Sequence, residues 1–287
     1  MKVILTVVLL SLITGSLVFA QQSDDATRKL WDTAFIGPSK ATAGRRRSSR
    51  KYRIATPNVP IDNVVPESVV GVTIWRLRPA GRADSGERLI VHDDNTAKEW
   101  VPERISANTK LGPGDRLRIS VEAARNGYLY VIDRELYADG TLGEPYLIFP
   151  TTRTLNGDNQ VSVGKLVELP AQADSPPFFT IRRSRPNQVA EVLSVLVTPT
   201  PLEGVQISDK ALKLTDAQVT QWEQSWSTSV GRLEMESVGQ AWTREEKDAG
   251  ATNTRALTAS APAPQMIFYR PKSSEAMYVK LRLSYRK

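Results

Sequence analysis

This sequence predicts a mainly β fold, an antiparallel β-sandwich immunoglobulin-like in style with one or two short helices. Three observations predict it. Residues 116–123 alternate strictly between apolar and polar side chains, similar short runs recur between clusters of Gly, Pro, Asn and Ser, and a helical period appears only after Pro201. With 287 residues and 40% apolar content, the chain can fill a core of that size.

The first stretch, MKVILTVVLLSLITGSLVFA, carries one charge at Lys2, an apolar run over residues 3–13 and a Val18-Phe19-Ala20 end before polar Gln21. That pattern predicts a secretory signal over residues 1–20, cleaved after Ala20. An uncleaved anchor is the weaker alternative, because the run falls short of the ~20 residues that cross a bilayer. The mature protein is then expected in the periplasm or outside the cell, with no transmembrane helix. No cysteine is present, so disulfides, thiolate metal sites and cysteine nucleophiles are excluded. Histidine occurs once, at His92, which leaves acid/base chemistry to carboxylates, lysine or tyrosine. No cofactor is expected.

A net charge of +7 suggests an anionic partner, but its location restricts the inference. Residues 40–53, KATAGRRRSSRKYR, hold seven basic residues and no acidic ones. The basicity therefore belongs to residues 21–66, a stretch poor in large apolar side chains and expected to be a disordered tether ahead of a β-domain over residues 67–287. Arg45, Arg46, Arg47, Arg50, Lys51 and Arg53 are candidate contacts to anionic lipid headgroups, a cell-wall polymer or an envelope protein; solvated linker charge is the alternative. Nucleic acid is disfavoured, since Tyr52 alone interleaves the charges.

Strands begin near Val69 with VVGVTIWRLRP, for which ERLIV at residues 87–91 is the expected partner, and His92-Asp93-Asp94-Asn95 then reads as a turn. A metal or acid/base cluster there is the alternative, although neighbouring side chains on an extended chain point to opposite faces. In residues 116–123, Leu117, Ile119, Val121 and Ala123 form one face, and Arg116, Arg118, Ser120 and Glu122 the other, a half-buried strand. Asn126-Gly127 predicts a two-residue hairpin setting Ala123 opposite Tyr130 and Val121 opposite Ile132. Tyr128 to Ile132 is apolar on both faces, so it is expected inside a sheet covered on both sides.

The loop that follows holds Asp133, Glu135, Tyr137 and Asp139, ending in an Asp139-Gly140 turn. These four are the candidate recognition residues; a solvated turn, a metal site and a carboxylate pair for glycoside hydrolysis are the competing readings. Calcium-loop spacing fails, because Tyr137 occupies a ligand position and Tyr146 the closing one. Catalytic, cofactor and metal assignments are accordingly none.

Residues 161–170, 178–183 and 188–198 read as further strands, the last central to the core. Thr215 with Gln218 forms a capping box, and Val219, Trp222 and Trp226 recur at helical spacing, for packing on a sheet or for stacking on a sugar or partner. Thr243 with Glu246 suggests a second helical turn ending before Gly250. MIFYR and a final strand, with its basic face toward solvent at an edge, complete the chain.

The segment GYLYVIDRELYADGTLGEPYLIFP, then GDNQVSVGKLVELP, then EVLSVLVTP resembles the bacterial domain of unknown function 4384 family, over about a third of the chain, residues 111–199. The resemblance implies an extracytoplasmic module and brings no catalytic residues with it. Residues 200–287 lie outside the shared pattern. The leading expectation is thus a non-enzymatic interaction or envelope-structural module, with a carboxylate-based hydrolase of polysaccharide or peptidoglycan as the alternative.

Overall fold

The computed structural model describes residues 51–56, 59–61, 64–82, 84, 88–93, 96–227, 229–251, 262–271 and 276–286, with Leu30 and Ala34. The expected signal and Arg45, Arg46, Arg47 and Arg50 lie outside these residues. The fold is mainly β, two sheets with two short helices.

One strand, β2 (Val64–Pro79), organises the first sheet because it is long enough to pair with three neighbours. Along one edge it meets β14 (Met266–Pro271) and then β4 (Thr96–Arg104); along the other it meets β5 (Arg116–Ala123), with Val72 opposite Val121. Beyond these lie β1 (Tyr52–Ile54), β3 (Leu89–Asp93), β9 (Leu166–Leu169), β10 (Phe179–Thr180) and β13 (Gly231–Met235), nine strands among the described residues. The second sheet runs β12 (Leu212–Lys213), β7 (Tyr146–Phe149), β6 (Gly127–Tyr137), β11 (Gln188–Thr198), β15 (Met277–Ser284), with β8 (Gln160–Val161) beside β6.

The sheets share one core. Val70, Val72, Ile74, Ile119 and Val121 of the first pack with Leu129, Val131, Val195, Val197 and Leu281 of the second. On the far face of the second sheet, helix α1 (Asp216–Trp226) covers Tyr130, Ile132, Leu196 and Tyr278 with Val219, Trp222 and Trp226. Its Thr215–Gln218 capping box is formed as the spacing predicts, and β6 is covered on both faces as its double apolar pattern requires. β11 is central and β15 lies at an edge, with Lys280 and Arg282 exposed.

Four expectations are corrected. The hairpin at Asn126-Gly127 does not exist: β5 belongs to the first sheet and β6 to the second, so the chain crosses between sheets there. Neither residue takes a positive φ; Gly127 is needed because a Cβ would lie 2.2 Å from the Thr198 carbonyl oxygen. The strand at ERLIV pairs with β4 and not with β2, since β4 fills the place beside β2 and its alternation, broken by Pro102, escapes recognition. Asp94 and Asn95, the tip of the expected turn, lie outside the described residues, while Asp93 pairs with Thr96. Structure also begins inside the expected tether. β1 pairs with β13, Tyr52 is buried, and its hydroxyl donates to the Pro264 carbonyl, so one aromatic suffices to anchor a polar segment. Finally, the polar face of β5 is buried with the apolar one, for reasons given below.

The crossover has a measurable signature. Gly127→Ala is expected to lower stability by about 1–3 kcal/mol, as overpacking against fixed backbone does. Asn126→Ala, at an exposed position without turn strain, is expected to stay within about 0.5 kcal/mol of wild type. Chemical denaturation of both variants distinguishes this from a type I′ hairpin, in which the asparagine would matter as well.

Candidate functional site

Three adjacent strands of the second sheet send a row of alternate side chains toward the shared core. On β6 the row is Leu129, Val131, Asp133, Glu135, Tyr137; on β11 it is Val197, Val195, Leu193, Glu191; on β15 it is Val279, Leu281, Leu283, followed by Tyr285. Each row is apolar in the middle and polar at the same end, because Leu193 pairs with Asp133 and Glu191 with Glu135. The core thus gives way to a cluster of carboxyl and phenol groups beside a cleft of about 550 Å³. Asp133, Glu135 and Tyr137 line it, with Arg134, Leu142, Gly143, Glu144, Tyr146, Ser184 and Arg185.

Hydrogen bonds define the cluster. Tyr285 donates to Glu191 Oε1 at 2.6 Å and Gln188 Nε2 to the same atom at 2.7 Å, while Tyr137 donates to Glu135 Oε2. Asp133 stands beside two further carboxyls, Glu191 and Glu135, whose charges oppose its ionisation. Burial, reinforced by Glu191 and Glu135, pushes the Asp133 carboxyl up to about 8, and burial raises Glu191 as well. Burial and the bond to Glu191 push the Tyr285 phenol up, and the bond to Glu135 raises Tyr137. Asp133 Oδ1 and Glu191 Oε2 are out of contact with solvent and accept from no described donor. Arginines surround the group without reaching those oxygens. Arg185 stands over the Tyr137 ring at 5.3 Å and Arg183 over Tyr285 at 5.6 Å, whereas Arg134 turns away to the Gly143 carbonyl and Asp216. Leu142 and Tyr146, 44% and 40% exposed, form an apolar rim.

Of the four candidate recognition residues, the structure therefore brings Asp133, Glu135 and Tyr137 together, on a strand where a loop was expected. Asp139 is not with them; it sits in an exposed turn, its carboxylate accepting from Thr141 N–H and hydroxyl. Sequence reasoning missed Glu191, Gln188, Tyr285 and Arg185. For Glu191 and Tyr285 a signal existed, a polar group closing an otherwise apolar alternate row. Among the candidate anionic-partner contacts, Lys51 is exposed, but Arg53 pairs with the buried Glu234 at 2.9 Å. Among the described residues, no group of His, Asp or Glu is placed to hold a metal ion, and no helix is long and apolar enough to cross a membrane.

A second ionic cluster lies on the far face of the first sheet. Arg118 pairs with Glu168 at 2.6 Å and gives a second bond to the Pro177 carbonyl. Arg104 pairs with Glu246 and stands over the Trp75 ring at 4.9 Å. Glu246 also caps its own helix, α2 (Arg244–Ala251), accepting from Thr243 N–H at 2.8 Å, so the expected second helical turn is present, but it runs through Gly250 and one residue past it. Gly250 approaches so closely that a Cβ would lie 2.0 Å from the Glu168 carboxyl carbon. With Trp242 lying edge-on to Trp75 at 6.3 Å, the helix closes this face. Charges on β5 are therefore buried because a covering element supplies partners, which no pattern within β5 announces. Glu122 is the exception: it has no ion-pair partner, and burial together with Glu246 pushes it up to about 8 against the pull of Arg104.

The chain matches no protein-family model, no curated protein and no solved structure. Its chemistry is thus argued from the geometry. The ionic cluster on the first sheet is buried beneath Trp242 and α2, whereas the cleft is open and mixed in polarity, as ligand sites are.

The raised carboxyls make stability depend on pH. Glu122 binds a proton up to about pH 8 in the folded state and only to about 4.5 when unfolded, so the stability it allows is present in full below 4.5 and is lost as pH rises toward 8. Glu122→Gln, neutral at every pH, is expected to leave the melting temperature unchanged near pH 4 and to raise it by several degrees at pH 8. Thermal unfolding across pH 4–9 checks this; an equal shift at both ends would place Glu122 in an ordinary ionised state.

Proposed function

We propose that this chain is an extracytoplasmic, non-enzymatic binding module, a β-sandwich in immunoglobulin-like style that takes its ligand in the cleft at the end of β6. One observation carries the reading: the core-facing rows of three strands end together in carboxyl and phenol groups whose floor oxygens lack donors, beside a cavity with an exposed apolar rim. Burying such acceptors costs roughly 1–3 kcal/mol each. The secretory pattern of residues 1–20 supports export, and the motif order over residues 111–199 supports a place in the domain of unknown function 4384 family. The basic stretch adds a second, salt-sensitive contact to anionic envelope material through Arg45, Arg46, Arg47, Arg50 and Lys51; Arg53 is engaged within the fold.

A hydrolase acting on polysaccharide or peptidoglycan is the second reading. It is favoured by Asp133, a carboxyl held protonated near neutral pH beside a second carboxylate, which is what a general acid needs.

Retention of the mature protein on isolated envelope material tests both parts. Replacing Arg45, Arg46, Arg47 and Arg50 by Gln is expected to remove the salt-sensitive fraction of retention, and Glu135→Gln with Tyr146→Ala the salt-resistant fraction, several-fold in each case. Soluble sugar or peptide fragments should not accumulate. Release of fragments that stops on Asp133→Asn would transfer the assignment to the hydrolase.

A further inference from the structure

The second sheet ends on a strand that can pair again. β15 (Met277–Ser284) is the longest edge strand among the described residues, it contains no proline, and its register with β11 runs unbroken from Ser284 to Met277. Antiparallel pairing sends the N–H and C=O of successive residues alternately to the two sides of a strand. Tyr285 N–H bonds to the Val189 carbonyl, so Met277, Val279, Leu281 and Leu283 spend theirs on β11, while Lys280, Arg282 and Ser284 turn theirs outward. Ser284 shows what this outward row does when a chain reaches it. Its carbonyl accepts from Leu111 N–H at 2.8 Å, and the Leu111 carbonyl accepts from Arg286 N–H at 2.7 Å, a bridge one residue long. Beyond that bridge the row is bare: no backbone group among the described residues bonds to the outward N–H or C=O of Lys280 or Arg282, and both side chains are exposed.

We infer that the β15 edge takes an acidic, extended segment of a partner protein as an added strand, its main chain bonding to Lys280 and Arg282 and its carboxylates facing the two cations. Proteins blunt exposed edges with short strands, proline, bulges or charge, and β15 has charge alone. Charge of one sign also selects the partner. The side chains of Lys280 and Arg282 share the face that α1 covers at Tyr278; Lys280 already draws Glu223 of α1 into an ion pair, and Arg282 has no ion pair among the described residues. A second copy pairing edge to edge about Leu281 would set these cations against each other, which disfavours a dimer. The added strand has a defined pattern. Residues on the α1 face meet Lys280 and Arg282 and are acidic, whereas those between them lie beside Val279, Leu281 and Leu283, which enter the core, and are apolar. The strand stops short of Ser284, where Leu111 occupies the edge. This edge lies two strands from β6 in the sheet and does not depend on the cleft being a ligand site.

Fluorescence anisotropy and amide hydrogen exchange of the mature protein test the inference. The probes are a labelled peptide of alternating Glu and Val, its Lys and Val counterpart, and two forms of the first peptide, N-methylated on the Glu or on the Val amides, which keep the charge but lose the donors of one edge. The expected result is binding of the Glu peptide, slowed exchange at the Lys280 and Arg282 amides, and no binding of the Lys peptide. At least one methylated form is expected to bind about tenfold more weakly, and which one it is gives the direction of the added strand. Arg282→Glu, at an exposed position, should weaken the Glu peptide several-fold and admit the Lys peptide, while Tyr146→Ala in the cleft leaves both unchanged. Failure of the Glu peptide to bind would overturn the inference, leaving the charges as a guard of the edge. Undiminished binding of both methylated forms would reduce the contact to charge attraction alone and overturn it too. So would slowed exchange at Lys280 and Arg282 that grows with protein concentration in the absence of peptide, the mark of a second copy.

Discussion

The pairing of β2 on both edges is the constraint from which the rest of the architecture follows. Its residues Val70 and Val72 are hydrogen-bonded neighbours of β5 on one side and β14 on the other, so a slip of one position would turn every side chain of the strand to the opposite face and break both ladders. Both faces are filled. Val70, Val72 and Ile74 enter the core shared with the second sheet, while Val69, Thr73, Trp75 and Leu77 are buried beneath other covers. A strand committed on two edges and two faces leaves little freedom to its partners, and β5 inherits its register directly: Thr73 meets Ser120, and Trp75 meets Arg118.

That inherited register explains why charge is buried on the first sheet. Arg118, Ser120 and Glu122 must lie on the face that carries Thr73 and Trp75, and that face is covered by Trp242 and α2. Removing either partner of Arg118–Glu168 would strand the other ion, a loss of roughly 3–5 kcal/mol, although the pair as a whole contributes little net stability. Its value is specificity of docking. Trp75 Nε1 donates to Ser120 at 2.7 Å, Gln172 bridges Glu168 to the Lys247 carbonyl, and Arg104 reaches Glu246, bonds that are made together only when the helix sits in this one position.

Elements whose evidence is local were legible in the sequence. The capping residues of α1, the double apolar pattern of β6 and the apolar run of β11 each state their structure within a dozen residues. Pairing was less legible because it depends on which of several apolar strands lies nearest. Asn126-Gly127 has the composition of a tight turn, yet the nearest partner for β5 is β2, some fifty positions earlier. The polar face of β5 reads as solvent-facing by alternation alone; its cover arrives from residues 242–251. Of the cleft, Asp133, Glu135 and Tyr137 could be picked out as neighbours in sequence, while Glu191 and Tyr285 became part of the same group only through strand order.

The cleft is a continuation of the core and not an addition to it. The alternate row on β6 that supplies Leu129 and Val131 to the shared core supplies Asp133, Glu135 and Tyr137 two, four and six positions later, with no break in the strand. Rigidity is the consequence: the carboxyls ride on a strand held by β11 along its full length, and β11 is held in turn by β15. A loop could present the same acids, but each would lose conformational freedom on binding, whereas here that cost is met when the sheet forms. The same placement raises the pKa of Asp133, because a carboxyl that begins where a core ends is buried on one side and crowded by its neighbours on the other. Position in the sheet thus supplies both the shape of the site and its proton.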